Sequence, residues 1–272
     1  MERMICPKNT GKRSIAFWFM LLAYCFYAPF LSAQNSVKPN LNIVFIGNSI
    51  TYGAGLKDFK TMAPPNFTLQ FLQESRKFGE IQISNQGVSG YTTVNFLPQT
   101  QTVFNKVEVA ARNFSNQNAQ LIFSIILGTN DSAIQGPLGA PLSPENYQHN
   151  LKTIADQLLQ DFPGCKIVLH HPLWYSTNTY NGSKYLAEGL ARLQSYFPKI
   201  DELVKSYKKT NPKQVFLGDK KGFAHFEKNH EALMQHENGR QGIFYLHPNE
   251  KGAQDLGVFW GKSILKFARR LH

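Results

Sequence analysis

Leu41-Asn42-Ile43-Val44-Phe45-Ile46-Gly47 is the stretch whose reading decides the fold. A strand with one wet face alternates apolar and polar residues. A nearly continuous apolar run has both faces covered, which is the mark of a buried parallel strand. Similar short runs recur at residues 81–84, 121–127, 166–169 and 214–217. Segments of helical period lie between them. The clearest carries Tyr147, Leu151, Ile154, Ala155, Leu158, Leu159 and Phe162 at one-face spacing. Ser143-Pro144-Glu145 opens it with a cap, a first-turn proline and an early acid, and Pro163-Gly164 closes it. Residues 184–210 also read as helix, interrupted at Pro198. A last helix is expected from Pro248, apolar at Ala253, Leu256, Trp260, Ile264 and Phe267, with His247 at its cap. Strands alternating with helices predict an α/β fold, a three-layer α/β/α sandwich around a mainly parallel five-stranded sheet.

The 272 residues are 42% hydrophobic and 17% charged, enough apolar material for one sizeable core. That excludes disorder as the main description. The first 33 residues read separately. Arg3, Lys8, Lys12 and Arg13 precede an uncharged run over 15–31, and Leu31-Ser32-Ala33 then meets Gln34. This is the layout of a secretory signal peptide, so 1–33 is expected to be a leader and 34–272 a single domain, secreted or periplasmic. A retained membrane anchor is the competing reading, but Pro29 interrupts a run already at the lower limit for a span. The leader holds four of the 29 bases and one of the 18 acids, so the net charge falls from +11 to +8 without it. Cys6 and Cys25 leave as well, and Cys165 is left without a partner, read as a buried structural thiol. The bases are scattered, as in Lys208-Lys209 and Arg269-Arg270, and form no nucleic-acid recognition motif. Asn66, Asn113 and Asn181 stand in glycosylation patterns, which matter only in a host that glycosylates.

In doubly wound sheets the chemistry collects at the carboxyl ends of the strands. Four pieces fall there. Gly47-Asn48-Ser49-Ile50-Thr51 follows the first strand, and Asn85-Gln86-Gly87-Val88-Ser89-Gly90 the second. Gly128-Thr129-Asn130-Asp131 follows the third, and His247-Pro248 precedes the last helix. Singly, each reads equally as a turn or a cap. In this order the chain resembles the SGNH, or GDSL-like, hydrolase family over residues 41–260.

The resemblance implies a flavodoxin-like sheet and a serine esterase. It implies Ser49 as nucleophile and His247 as its general base. The backbone N–H groups of Ser49 and Gly90 and the side chain of Asn130 would form the oxyanion hole. It calls for no cofactor and no metal. The partner it implies is an acylated carbohydrate or another small ester, with no nucleic acid and no lasting membrane anchor. The wording around Ser49 and His247 is similar to secreted bacterial carbohydrate esterases, so an O-acetyl ester is the expected substrate. Lipase, arylesterase and thioesterase activity are the alternatives within the family, and a carbohydrate-binding protein on a disabled scaffold is the alternative outside it. A flavodoxin-like nucleotide binder is disfavoured, because the loop after the first strand has too few glycines for a phosphate.

Two positions depart from the family pattern. Asn48 stands where the family has Asp. More consequentially, the triad acid stands three residues before the histidine in the family, and that position is Phe244 here. Three explanations compete: a Ser–His dyad, an acid from another element, or an impaired site. Among acids, Asp219 leads, because it follows the fifth strand-like run; Glu227 and Glu237 are less well placed. His170 and His171 end the fourth run, and one of them is a candidate for the pocket. Tyr52, Tyr91, His171 and Trp174 are candidate substrate contacts, since aromatic rings stack on sugars and also serve as plain packing.

Overall fold

The run at 41–47 forms strand β1 (Leu41–Gly47), buried at every position in the computed structural model. The structure describes residues 1–4 and 38–268. Nearly all of the expected leader lies outside the described residues. Strands β2 (Ile81–Gly87), β3 (Gln120–Ile126), β4 (Lys166–Leu169) and β5 (Val215–Leu217) join β1 in one sheet of order β2-β1-β3-β4-β5, every pairing parallel. The register matters for the site. Gly47 lies opposite Gly87 on one side and Ile126 on the other, so three strands end at one level.

Chain order continues with helices α1 (Ser49–Tyr52), α2 (Phe59–Met62) and α3 (Pro64–Glu74) after β1, and α4 (Val103–Arg112) after β2. Helices α5 (Pro144–Asp161) and α6 (Leu186–Thr210) flank β4, and α7 (Gly222–Leu233) follows β5. A two-stranded hairpin, β6 (Glu237–Gly239) and β7 (Gly242–Phe244), then precedes α8 (Glu250–Ala268). The two faces of the sheet can be told apart by register. Phe45 stacks on Trp260 of α8, and Phe216 stacks on Phe267 of the same helix. The opposite face carries Phe123 against Phe162, just past α5, and the Arg112 guanidinium of α4 lies over that same Phe162 ring. Tyr147 of α5 stacks on Tyr196 of α6 at 4.0 Å. Helices thus cover both faces, as the continuous apolar strands require.

Helix α5 starts as expected, with Ser143 Oγ accepting the Asn146 N–H. Two expectations are corrected. Helix α6 runs unbroken through Pro198. The proline forfeits one backbone bond, while Leu193, Tyr196, Ile200 and Leu203 keep a buried stripe on either side. Helix α8 starts at Glu250 rather than Pro248, because Asn249 takes the cap: its Oδ1 accepts the Gly252 N–H at 3.0 Å. His247 therefore precedes the helix, at a bend in the connecting segment. Cys165 is a buried free thiol, and burial pushes it up to about 12. No described helix is long and apolar enough to cross a membrane.

Candidate active site

Each strand end delivers one piece. After β1, Asn48 caps α1: its buried side chain accepts the Ile50 N–H at 3.0 Å. This is a structural task that Asn performs as well as Asp. Capping places Ser49 in the first turn of α1. After β2, Asn85 donates to the Thr51 carbonyl at 2.8 Å and ties the second loop to that helix. Gly90 has a φ of +79°, which a residue with a side chain adopts only under strain. After β3, Asn130 Nδ2 donates to the Tyr91 carbonyl at 2.8 Å, which ties the third loop to the second. Asp131 reinforces that tie, accepting both the N–H and the hydroxyl of Thr93. Among the described residues, neither the Ser49 nor the Gly90 N–H donates to a backbone acceptor.

The fourth piece closes on the first. Ser49 Oγ lies 2.8 Å from His247 Nε2. On the other side of the ring, His247 Nδ1 lies 3.0 Å from both oxygens of Glu237. The Glu237 carboxylate also accepts the backbone N–H of His247 at 3.1 Å. A carboxylate only accepts, so Nδ1 carries the proton and Nε2 is left free to take one from Ser49. The His247 side chain is 14% exposed and Glu237 22%, so the pair is screened but not fully buried.

The carboxylate placed at the imidazole is therefore Glu237, and not the Asp219 expected as the substitute acid. The physical reason is strand pairing. Glu237 lies directly opposite Phe244 in the β6–β7 hairpin. The carboxylate reaches the imidazole from the neighbouring strand, and the longer Glu side chain spans the gap. Asp219 is occupied elsewhere: its two oxygens accept the N–H groups of Lys221 and Gly222 at the start of α7. Glu227 is exposed on α7. Gln235 is a second residue that spacing did not single out. Its backbone N–H donates to the His247 carbonyl at 2.8 Å, and its amide bridges the carbonyls of Ala54 and Pro248. It thereby straps the segment after Ser49 to the segment holding His247.

Of the candidate contacts, Tyr52 and Tyr91 sit on the elements that carry Ser49 and Gly90. Tyr52 stacks on Phe59 at 4.5 Å, and Tyr91 meets Phe96 edge-on. His171 and Trp174 are corrected. His171 is buried, with its Nε2 on Asp201 at 2.8 Å and its ring stacked on Phe197. Trp174 is 8% exposed and packs against His230, so its ring has little surface left for a sugar. His170 is buried between Ser124 and the Asp219 N–H, and burial pushes it down to about 3, so it stays neutral.

A family model for the GDSL-like lipase/acylhydrolase family matches residues 45–254, from β1 into α8. The chain belongs to this family. GDSL-like proteins are carboxylic ester hydrolases, and the five-stranded parallel sheet is that of their fold. A carbohydrate acetylesterase from Sinorhizobium meliloti superposes with a TM-score of 0.56 at 14% identity, covering 83% of this chain and 98% of its own. The aryl esterase of M. smegmatis gives a TM-score of 0.56 at 15% identity, covering 83% and 99%. An α/β hydrolase from the metagenome of Lake Arreo gives 0.52 at 16%, covering 87% and 97%. No curated protein matches the chain in sequence.

Proposed function

We propose that this GDSL-like protein is an exported serine esterase that removes short acyl groups, O-acetyl groups above all, from carbohydrates. The observation that carries the catalytic half is the hydrogen-bonded line Ser49–His247–Glu237, at the sheet edge where the loops carrying Gly90 and Asn130 also emerge. In this reading the Ser49 oxygen attacks the acyl carbon while its proton passes to His247 Nε2. The ester's carbonyl oxygen becomes an anion, held by the N–H groups of Ser49 and Gly90 and the Asn130 amide. Glu237 stabilises the imidazolium that forms. The imidazolium then returns its proton to the departing alkoxide, which leaves an acyl–Ser49 ester. Water, deprotonated by His247, attacks that ester, releases the carboxylic acid and restores the serine.

The substrate half rests on coarser support. A carbohydrate acetylesterase shares this fold, and Tyr52 and Tyr91 offer half-buried rings at the strand ends. The leader pattern at 1–33 supports export. The deciding experiment is acetate release from a panel of acetylated glycans, with Ser49→Ala as control. Ser49-dependent release supports the reading. Faster hydrolysis of long-chain esters than of acetyl esters would move the protein to the lipases, and binding without turnover would make it a carbohydrate-binding protein.

A further inference from the structure

Four buried tyrosines converge on the loop that follows β3. Tyr147 donates its hydroxyl to the Leu127 carbonyl at 2.9 Å. Tyr196 donates to the carbonyls of Asp131 and Leu142, at 3.1 and 2.8 Å. The Tyr175 hydroxyl shares a hydrogen bond with Ser132 Oγ at 2.9 Å. The fourth differs in what it holds. Tyr185 donates its hydroxyl to Asn130 Oδ1 at 2.7 Å, and so grips the side chain read above as an oxyanion donor.

We propose that Tyr185 is a positioning residue for the oxyanion site, fixing the Asn130 amide with its N–H₂ end toward the reacting oxygen. The inference rests on the ester-hydrolase reading. The two ends of an amide are nearly alike in shape, so its partners decide which way it points. The Tyr91 carbonyl at 2.8 Å demands the nitrogen at one end. The Tyr185 phenol supplies a proton to the oxygen at the other. Flipping the amide would set Oδ1 against the Tyr91 carbonyl, acceptor against acceptor. In the observed orientation one Nδ2 hydrogen goes to Tyr91 and the second is left for a ligand.

Tyr185 is itself well held. It is buried and meets the Tyr175 ring edge-on at 5.3 Å, and its N–H donates to the Thr179 carbonyl at 3.1 Å. The residue before it, Lys184, donates its N–H to the Gln135 carbonyl at 2.9 Å and accepts from Ile134. The phenol is thus carried on a segment bonded to the same loop that carries Asn130. Burial also holds the phenol above its ordinary range, so it remains a donor throughout the working pH range.

The test uses the full chain with p-nitrophenyl acetate as probe. Ser49→Ala first establishes that turnover belongs to this site. Tyr185→Phe is expected to lower kcat about tenfold, the order of one hydrogen bond lost at the Asn130 amide, with KM within about twofold. The decisive arm repeats Tyr185→Phe in an Asn130→Ala background, where it should cause no further loss, because Tyr185 acts through Asn130. A structural role alone would cost the same factor in both backgrounds. Equal loss in both, or an unchanged kcat in the single variant, overturns the inference while Ser49-dependent turnover leaves the esterase reading standing. Absence of Ser49-dependent turnover overturns both.

Discussion

Phe244 stands three residues before His247, where the resemblance calls for an acid, and it is buried in the core. Nothing is lost at the imidazole, because Glu237 grips Nδ1 with both oxygens. Glu237→Gln keeps the shape and removes the charge that stabilises the imidazolium, so kcat should fall about a thousandfold or more. Initial rates on an acetyl ester measure it. Asp219→Asn makes the contrasting case. It loses one of two acceptors at the start of α7, which should cost about 1 kcal/mol in urea unfolding while kcat stays within about twofold. The meeting of Ser49 with His247, and of the loops carrying Gly90 and Asn130, was legible in the sequence because each follows or precedes an element whose end could be read. Glu237 was not, because its closeness to His247 depends on which residue pairs with Phe244 across a hairpin. Spacing along one strand carries no such information. His171 and Trp174 failed for a related reason. A strand end says where the backbone emerges and leaves open whether the ring turns to solvent or to a neighbouring helix.

At the scale of elements, the hairpin is the piece that holds the acid. Its two three-residue strands are below the length at which alternation can be recognised, and β6 carries a glycine. Gly239 has a packing reason to be there: a Cβ would lie 2.7 Å from both Phe244 Cδ1 and the Tyr180 carbonyl. Gly239→Ala should therefore push β6 away from β7 and shift Glu237. The expected result is a kcat loss of about tenfold or more, with the strands of the main sheet unaffected in hydrogen exchange. The longer elements were easier to read. β1 is apolar on both faces, and α5 carries both its cap and its stripe. Helix α6 was harder, since a proline signals a break and only the tertiary burial of its flanking turns overrules it.

Across the whole molecule, two buried groups tie stability to solution conditions. Asp131 is fully buried with Oδ2 unpartnered, and burial raises it to about 6 from an ordinary 3.8. The folded state therefore holds this proton more tightly than the unfolded chain. Between pH 4 and 6 its contribution makes the fold less stable as pH rises, by at most about 3 kcal/mol. Urea unfolding of wild type and Asp131→Asn across that window should show the pH-dependent difference disappear in the variant. Cys165, with its thiol pushed up to about 12, should resist thiol reagents in the native protein and react only on unfolding, which mass spectrometry after labelling detects.

The span of the candidate triad along the chain has a kinetic consequence. Glu237 and His247 are 10 residues apart, whereas Ser49 is 198 residues from His247. The acid–base half is a local contact that closes a short loop, and the nucleophile half needs the two ends of the domain to meet. Refolding should therefore restore helix and strand signals before it restores ester hydrolysis. A partly folded chain would carry an oriented imidazole with nothing to activate, so regained turnover would report the docking of β1 against α8 rather than the first collapse.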